Sequence, residues 1–187
     1  MIKQGIVYKK GFTLIELLVA TAVMGLLAVV SATVISNVLR SQNKTNAVNE
    51  VRQNGDLVIG KFERDMKQAA GVCRTSFVPP NCDGFSQSVT LTIGPDTIEW
   101  TCDPATGAFT RDTLSVISTD AVSGVQVANT GDPRDCNFAV GGNPGLDTPQ
   151  IVKLDFTLEQ RNTASASELE AQVPFEVTVG TRAYTTN

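Results

Sequence analysis

No histidine occurs among the 187 residues, which removes the commonest general base and every Ser-His or Cys-His catalytic pairing. No Cys-x-x-Cys pair occurs either, and structural zinc sites usually draw on closely spaced cysteines or on Cys with His. Aromatic residues make up only 6% of the chain, proline fills only eight positions, and the fifteen glycines are dispersed. No segment is therefore simple enough to read as a repeat array or a long disordered tract. Positive charge is also scarce, with fifteen Lys and Arg against nineteen Asp and Glu. Lys3, Lys9 and Lys10 lie in the first eleven residues, and without that segment the formal balance moves from −4 to −7, twelve against nineteen. A chain of that sign lacks the basic footprint that neutralises phosphates, so nucleic acid is not an expected partner.

What the chain does have is a long apolar run near its amino terminus. From Phe12 to Leu39 the only ionisable side chain is Glu16. At about 1.5 Å per residue, a helix of that length exceeds the roughly 30 Å hydrocarbon core of a bilayer. Lys9 and Lys10 stand directly before it and, by the positive-inside tendency, would hold the amino-terminal end in the cytoplasm and place the remaining chain outside. An ordinary secretory signal has a shorter apolar core, discarded after a small-residue site that follows it. Here the charged stretch ends at Gly11 and the apolar run comes afterwards. Glu16 needs a reason to be there, because a carboxylate at mid-membrane costs about 2.5–3.5 kcal/mol even on lenient insertion scales. It could sit near the interface and snorkel or protonate, or it could meet a positive group in an assembly, where a paired buried charge is tolerable.

The residues Lys9-Lys10-Gly11-Phe12-Thr13-Leu14-Ile15-Glu16-Leu17-Leu18-Val19-Ala20 resemble the signature of type IV prepilins, in which a short basic leader ends in Gly and the mature chain begins with Phe. The resemblance implies cleavage between Gly11 and Phe12 by a prepilin peptidase and methylation of the new amino group on Phe12. It also implies that the apolar helix is kept as the packing core of a helical filament, with Glu16 meeting the amino terminus of a neighbouring subunit. One departure is at Thr33, where pilin helices often carry a helix-disturbing Pro; Thr33 and Gly25 lower helix propensity only modestly, so this helix can remain straight.

After Arg40 the helical pattern becomes one-sided. Val48, Val51, Val58, Phe62, Met66 and Ala69 recur at intervals of three, four or seven among charged and amide residues, the pattern of an amphipathic helix. One helix is predicted from near Phe12 to near Ala70, about 90 Å if unbroken, with Gly71 as its stop and Gly55 and Gly60 as possible bends. The period then changes to two. Val89, Leu91 and Ile93 alternate, as do Ile98, Trp100 and Cys102, and Asp103-Pro104-Ala105-Thr106-Gly107 reads as a turn to a strand near Phe109. Val152, Leu154, Phe156 and Leu158 share a face of a later strand, and Val173, Phe175, Val177 and Val179 a face of another. Strands with one buried side need a cover, and the helical stripe from Val48 to Ala69 is available. The expected class is α+β, a helix on an antiparallel sheet, an arrangement similar to that of pilins. Gln53 to Ala70 and the later strand-turn-strand resemble minor pilins or J-type pseudopilins, and that likeness implies a place at or near a filament tip.

Four cysteines, Cys73, Cys82, Cys102 and Cys136, fall in the part expected outside the cytoplasm, where disulfides persist. Of three possible pairings, the favoured one joins Cys73 to Cys82 across a short Pro-containing loop and Cys102 to Cys136, which would pin the loop around Asp132-Pro133-Arg134. Asp132, Asp135 and Asp147 could hold calcium, but their spacing matches no EF-hand and solvated loop acids are commoner. Gly141, Gly142 and Gly145 follow no phosphate-cradling pattern, and Trp100 reads as core packing.

The expected organisation is a basic leader at 1–11, a membrane-spanning assembly helix at 12–40, its amphipathic continuation at 41–71, and a disulfide-containing β domain at 72–187. The function that follows from the resemblance is a structural subunit of a type IV pilus or type II secretion pseudopilus, with no enzymatic activity and no cofactor or metal. Its partners would be a prepilin peptidase, other pilins or pseudopilins, the inner-membrane assembly platform and membrane lipid. The chain would lie in the bacterial inner membrane with its carboxy-terminal domain in the periplasm before joining the filament. A membrane-tethered binding or adhesion module that never polymerises is the competing reading, and the Gly11-Phe12 junction with Glu16 is what a passive anchor would not require.

Overall fold

The computed structural model describes residues 11–74, 82–118, 124–132, 135–142, 149–161 and 171–181. Among the described residues one helix, α1 (Leu14–Gln68), precedes ten strands: β1 (Gly71–Arg74), β2 (Gly84–Ser86), β3 (Ser88–Ile93), β4 (Asp96–Asp103), β5 (Ala108–Arg111), β6 (Leu114–Ser115), β7 (Val125–Val127), β8 (Cys136–Gly141), β9 (Ile151–Gln160) and β10 (Gln172–Gly180). The chain divides into two compact units, Met1–Gln42 and Asn43–Asn187.

In the first unit the helix is apolar on every side. Its most apolar 18-residue window has a mean hydropathy of 2.4, and none of that window is buried. Length and composition suffice to cross a membrane. Polar side chains in this stretch turn their hydroxyls onto the helix itself: Thr21 donates to the Leu18 carbonyl at 3.0 Å, Ser31 to Leu27 at 2.8 Å and Thr33 to Val30 at 2.7 Å. No donor of these three is left facing an apolar medium. The helix runs unbroken through Gly25 and Thr33.

In the second unit α1 buries one stripe. Ala47, Val51, Val58, Phe62 and Met66 are enclosed, at steps of three, four or seven, and they join a single core with both sheets. Gly60 stays open, but Gly55 is not a bend. The Phe175 ring lies where a Cβ on Gly55 would be, so the missing side chain makes room for the sheet.

The sequence predicts one sheet, and the described residues form two, both antiparallel. The first has the order β1-β3-β4-β5-β6; the second has the order β10-β9-β8-β2, with β7 also pairing β9. Alternation reports which face is buried and not which strands pair, so short strands such as β1, β2 and β7 carry no signal of their own. The β3–β4 hairpin pairs Ile93 with Asp96 across Gly94-Pro95, and Gly94 takes the φ of +60° that a two-residue turn requires. Helix α1 ends at Gln68 because sheet bonding takes over: the Ala70 N–H goes to the Thr92 carbonyl at 2.8 Å, and Gly71, expected to stop the helix, pairs with Thr92 as the first residue of β1.

Few aromatics are present, and most of them meet in the core. Phe62 on α1 lies 5.5 Å from Trp100 of the first sheet and 5.7 Å from Phe138 of the second. Phe109 then bridges to Phe156 at 5.2 Å, and Phe156 stacks on Phe175 at 5.0 Å. Such pairs add to the area they bury by about 0.5–1.5 kcal/mol each.

Candidate functional site

The amino-terminal candidate site begins in an irregular stretch. Gly11 and Phe12 precede α1 and are exposed, Phe12 by 78%. Nothing lies within 4 Å of the place a Cβ would take on Gly11. Among the described residues nothing packs against Gly11, and Phe12 is open to its surroundings. Thr13 follows as the helix cap, and Glu16 reaches back from the first turn, with its Oε2 3.4 Å from both the Thr13 N–H and the Thr13 hydroxyl. Thr-x-x-Glu is the spacing of a capping box, and a carboxylate there also complements the helix dipole. Glu16 makes no ion pair among the described residues, so its carboxylate keeps acceptor capacity for a cation from elsewhere. Lys9 and Lys10 lie outside the described residues.

The cysteines are brought together in two pairs. Cys73 of β1 is bonded to Cys82, and Cys102 of β4 is bonded to Cys136 of β8. The second bridge joins the two sheets.

The loop acids have different surroundings. Asp135 is buried and accepts from the Thr130 N–H at 2.6 Å, from the Thr130 hydroxyl at 2.9 Å and from the Asp132 N–H at 3.2 Å, so its carboxylate closes its own loop. Asp147 and Gly145 lie outside the described residues. Asp103 caps the predicted turn, accepting from the Ala105 N–H at 2.9 Å and the Thr106 hydroxyl at 2.7 Å. The Thr106 hydroxyl, supported by the backbone at Ala105 and Thr106, holds its pKa below the ordinary 3.8 against the opposing effect of burial.

Two polar groups in the core escaped the reading of the sequence. Asp65, on the buried stripe of α1, accepts from the Trp100 indole at 3.0 Å and from Arg111 Nε at 2.7 Å. The hydrogen bond to Asp65 raises the already high pKa of Arg111. Gln150, only 3% exposed, accepts from the Val72 N–H at 2.7 Å and donates to the Val72 carbonyl at 2.8 Å. Its side chain thus pairs with β1 as a strand backbone would. The one available signal was an acid at a helical position next to the apolar Met66; Gln150 gave none.

The family model for the prokaryotic N-terminal methylation motif matches residues 7–32. This amino terminus is prepilin-type. Neither the comparison with curated proteins nor that with solved structures finds a match. The prepilin-type motif, the uncovered apolar helix that follows it and the α+β fold together support a pilin- or pseudopilin-like processed subunit. They imply processing by a prepilin peptidase, assembly with other pilins and an anchor in the inner membrane. Prepilin-like proteins are structural subunits rather than enzymes.

Proposed function

We propose that this chain is a subunit of a type IV pilus or type II secretion pseudopilus, trimmed between Gly11 and Phe12 and methylated at Phe12. Residues 1–11 are the leader, with Lys9 and Lys10 holding it in the cytoplasm; 12–40 form the anchor that becomes the assembly element; 41–71 continue that helix, and 72–187 form the domain held in the periplasm. The observation that carries this reading is the prepilin-type junction opening directly onto a predominantly apolar, uncovered helix. A helix that is apolar all round needs lipid or other helices against it, and extraction into a filament exchanges one for the other.

In the filament Glu16 meets the amino group of Phe12 on a neighbouring subunit. Its position in the first turn supports this, since only weak 3.4 Å contacts hold the carboxylate within its own chain. Pairing the two charges removes the penalty of burying either alone. A minor, tip-located role is the finer assignment, drawn from the likeness of Gln53–Ala70 to minor pilins and J-type pseudopilins. The test is Glu16→Ala in the full chain: leader removal should proceed, while recovery in sheared filaments should fall at least about tenfold, the loss expected when a buried charge pair is broken. Normal recovery would remove Glu16 from assembly.

A further inference from the structure

Residues 69–187 hold six basic and fourteen acidic side chains, a formal −8. Against that background a groove between α1 and the edge of the first sheet carries the opposite sign. It has a volume of about 480 Å³, with Lys61, Arg64 and Asp65 on the helix wall and Arg111, Leu114 and Ser115 on the sheet wall. Asp65 and Arg111 satisfy each other at 2.7 Å. Lys61 and Arg64 are exposed and form no ion pair among the described residues. Two uncompensated cations therefore face the opening.

The sheet wall is a strand edge. Strand β6 ends the first sheet and pairs only with β5 among the described residues. Val116 donates its N–H to the Phe109 carbonyl at 2.9 Å, and facing pairs in an antiparallel ladder alternate between bonded and unbonded. Ser115, one residue back and opposite Thr110, therefore turns its backbone N–H and C=O away from β5, and it is exposed. By the same alternation Leu114 shares the face of the buried Val116, yet it stays 72% exposed.

Both ends of this edge are fixed. The β5–β6 hairpin turns through Asp112 and Thr113 at φ 49° and 73°, the positive pair that a two-residue hairpin loop requires. Asp112 locks the turn to β4, donating its N–H to the Glu99 carbonyl and accepting the Glu99 N–H, both at 2.8 Å. At the other end the Ser115 hydroxyl donates to the Ile117 carbonyl at 2.9 Å, and Ser118 donates its N–H to Asn54 Oδ1 on α1 at 2.8 Å. An edge held in place before binding loses little freedom when a partner arrives.

We propose that this groove binds an extended acidic segment of a partner protein, which adds a strand to the first sheet at β6. Backbone bonds to Ser115 hold the segment, and its alternate side chains set the specificity. Two carboxylates on the side facing α1 meet Lys61 and Arg64, and an apolar side chain in the same row covers Leu114. The acidic surroundings repel a long polyanion, whereas a short segment keeps its charge within the groove. The groove lies wholly in the unit 43–187, so its occupancy is independent of leader removal and filament assembly.

The test titrates the full chain, purified in detergent, against a fluorescein-labelled, capped heptapeptide in which two glutamates and a valine alternate with threonines. Fluorescence polarisation should give a Kd below about 1 mM, and a peptide with lysines in place of the glutamates should not bind. Lys61→Glu with Arg64→Glu should weaken binding about tenfold or more, since like charges across a contact are strongly unfavourable. Ser115→Pro removes the outward N–H, a change an edge strand tolerates, and should weaken binding about tenfold. A peptide methylated on its backbone nitrogens makes the same test without touching the protein, and fluorescence of the sole tryptophan checks that each variant is folded. No binding below about 1 mM, equal binding of the lysine peptide, or indifference to the charge reversal overturns the site. Indifference to both Ser115→Pro and backbone methylation overturns the added strand. Displacement of the peptide by oligothymidylate at lower concentration than by unlabelled peptide would assign the groove to nucleic acid instead. Each of these results leaves the reading of the amino terminus untouched.

Discussion

The indole N–H of Trp100 points at Oδ2 of Asp65 across 3.0 Å, and the same oxygen takes Arg111 Nε at 2.7 Å. One buried carboxylate on α1 thereby satisfies a donor from β4 and a cation from β5. Asp65→Ala should destabilise the folded domain by about 2 kcal/mol, chiefly through the unmet indole donor. The Arg111 contribution is discounted, because its side chain is 36% exposed. Asp65→Asn keeps an acceptor and should lose about half as much. Denaturant unfolding followed through Trp100, the only tryptophan, measures both; equal stability of Asp65→Ala and the parent would remove this contact from the account.

Gly55 offers a test whose sign separates two ideas. Helix propensity alone says that Gly55→Ala stabilises by about 1 kcal/mol. Because the Phe175 ring fills the space, the substitution should instead destabilise by about 1–3 kcal/mol. In Phe175→Ala the same substitution should become neutral or favourable, a coupling that a double-mutant cycle reads directly.

Gln150 joins β1 to the start of β9 through its side-chain amide and also accepts the Thr181 N–H on its backbone carbonyl, at 2.9 Å. Gln150→Ala should cost about 2–3 kcal/mol and speed amide exchange at Val72, since two buried backbone groups lose partners. Unchanged exchange at Val72 would contradict the assigned role.

Breaking the bridge between the sheets with Cys102→Ser and Cys136→Ser should lower stability by about 2–4 kcal/mol, the usual range for such a cross-link. Thermal melting of the oxidised chain against the double variant checks it.

Asp103 supplies the pH dependence. Its folded pKa lies below the ordinary 3.8, with the Thr106 hydroxyl as the largest cause. The unfolded state then binds the proton more readily, so the contribution of Asp103 is present above pH about 4 and is lost as pH falls through the folded value. Carboxyl NMR should place the Asp103 titration below 3.8, and Thr106→Ala should move it upward; a midpoint at or above 3.8 in the parent would refute the turn's role.

Much of this was legible in the residues. The helix announced itself by an uninterrupted apolar run followed by a stripe at three- and four-residue steps, and β3, β4, β9 and β10 by strict alternation. The pairing of those strands into two sheets was not legible, because Val152 to Leu158 and Val89 to Ile93 show the same period whichever neighbour they bond. Asp65 and Gln150 stayed hidden for a related reason. A polar residue in a buried position makes sense only once its partner is placed, and Trp100 and Val72 lie 35 and 78 residues away. Gly55 could be read as a bend from the chain alone; the ring that occupies its space comes from β10. At the amino terminus, by contrast, Gly11, Phe12 and Glu16 sit within six residues, and the proposal made for them rests on that local pattern.

The most direct measurement is the mass and amino-terminal sequence of the protein made in cells with and without a prepilin peptidase. The account predicts a peptidase-dependent start at methylated Phe12, with Met1 to Gly11 removed. An uncleaved Met1 start under both conditions would contradict it and leave a tethered domain that does not polymerise.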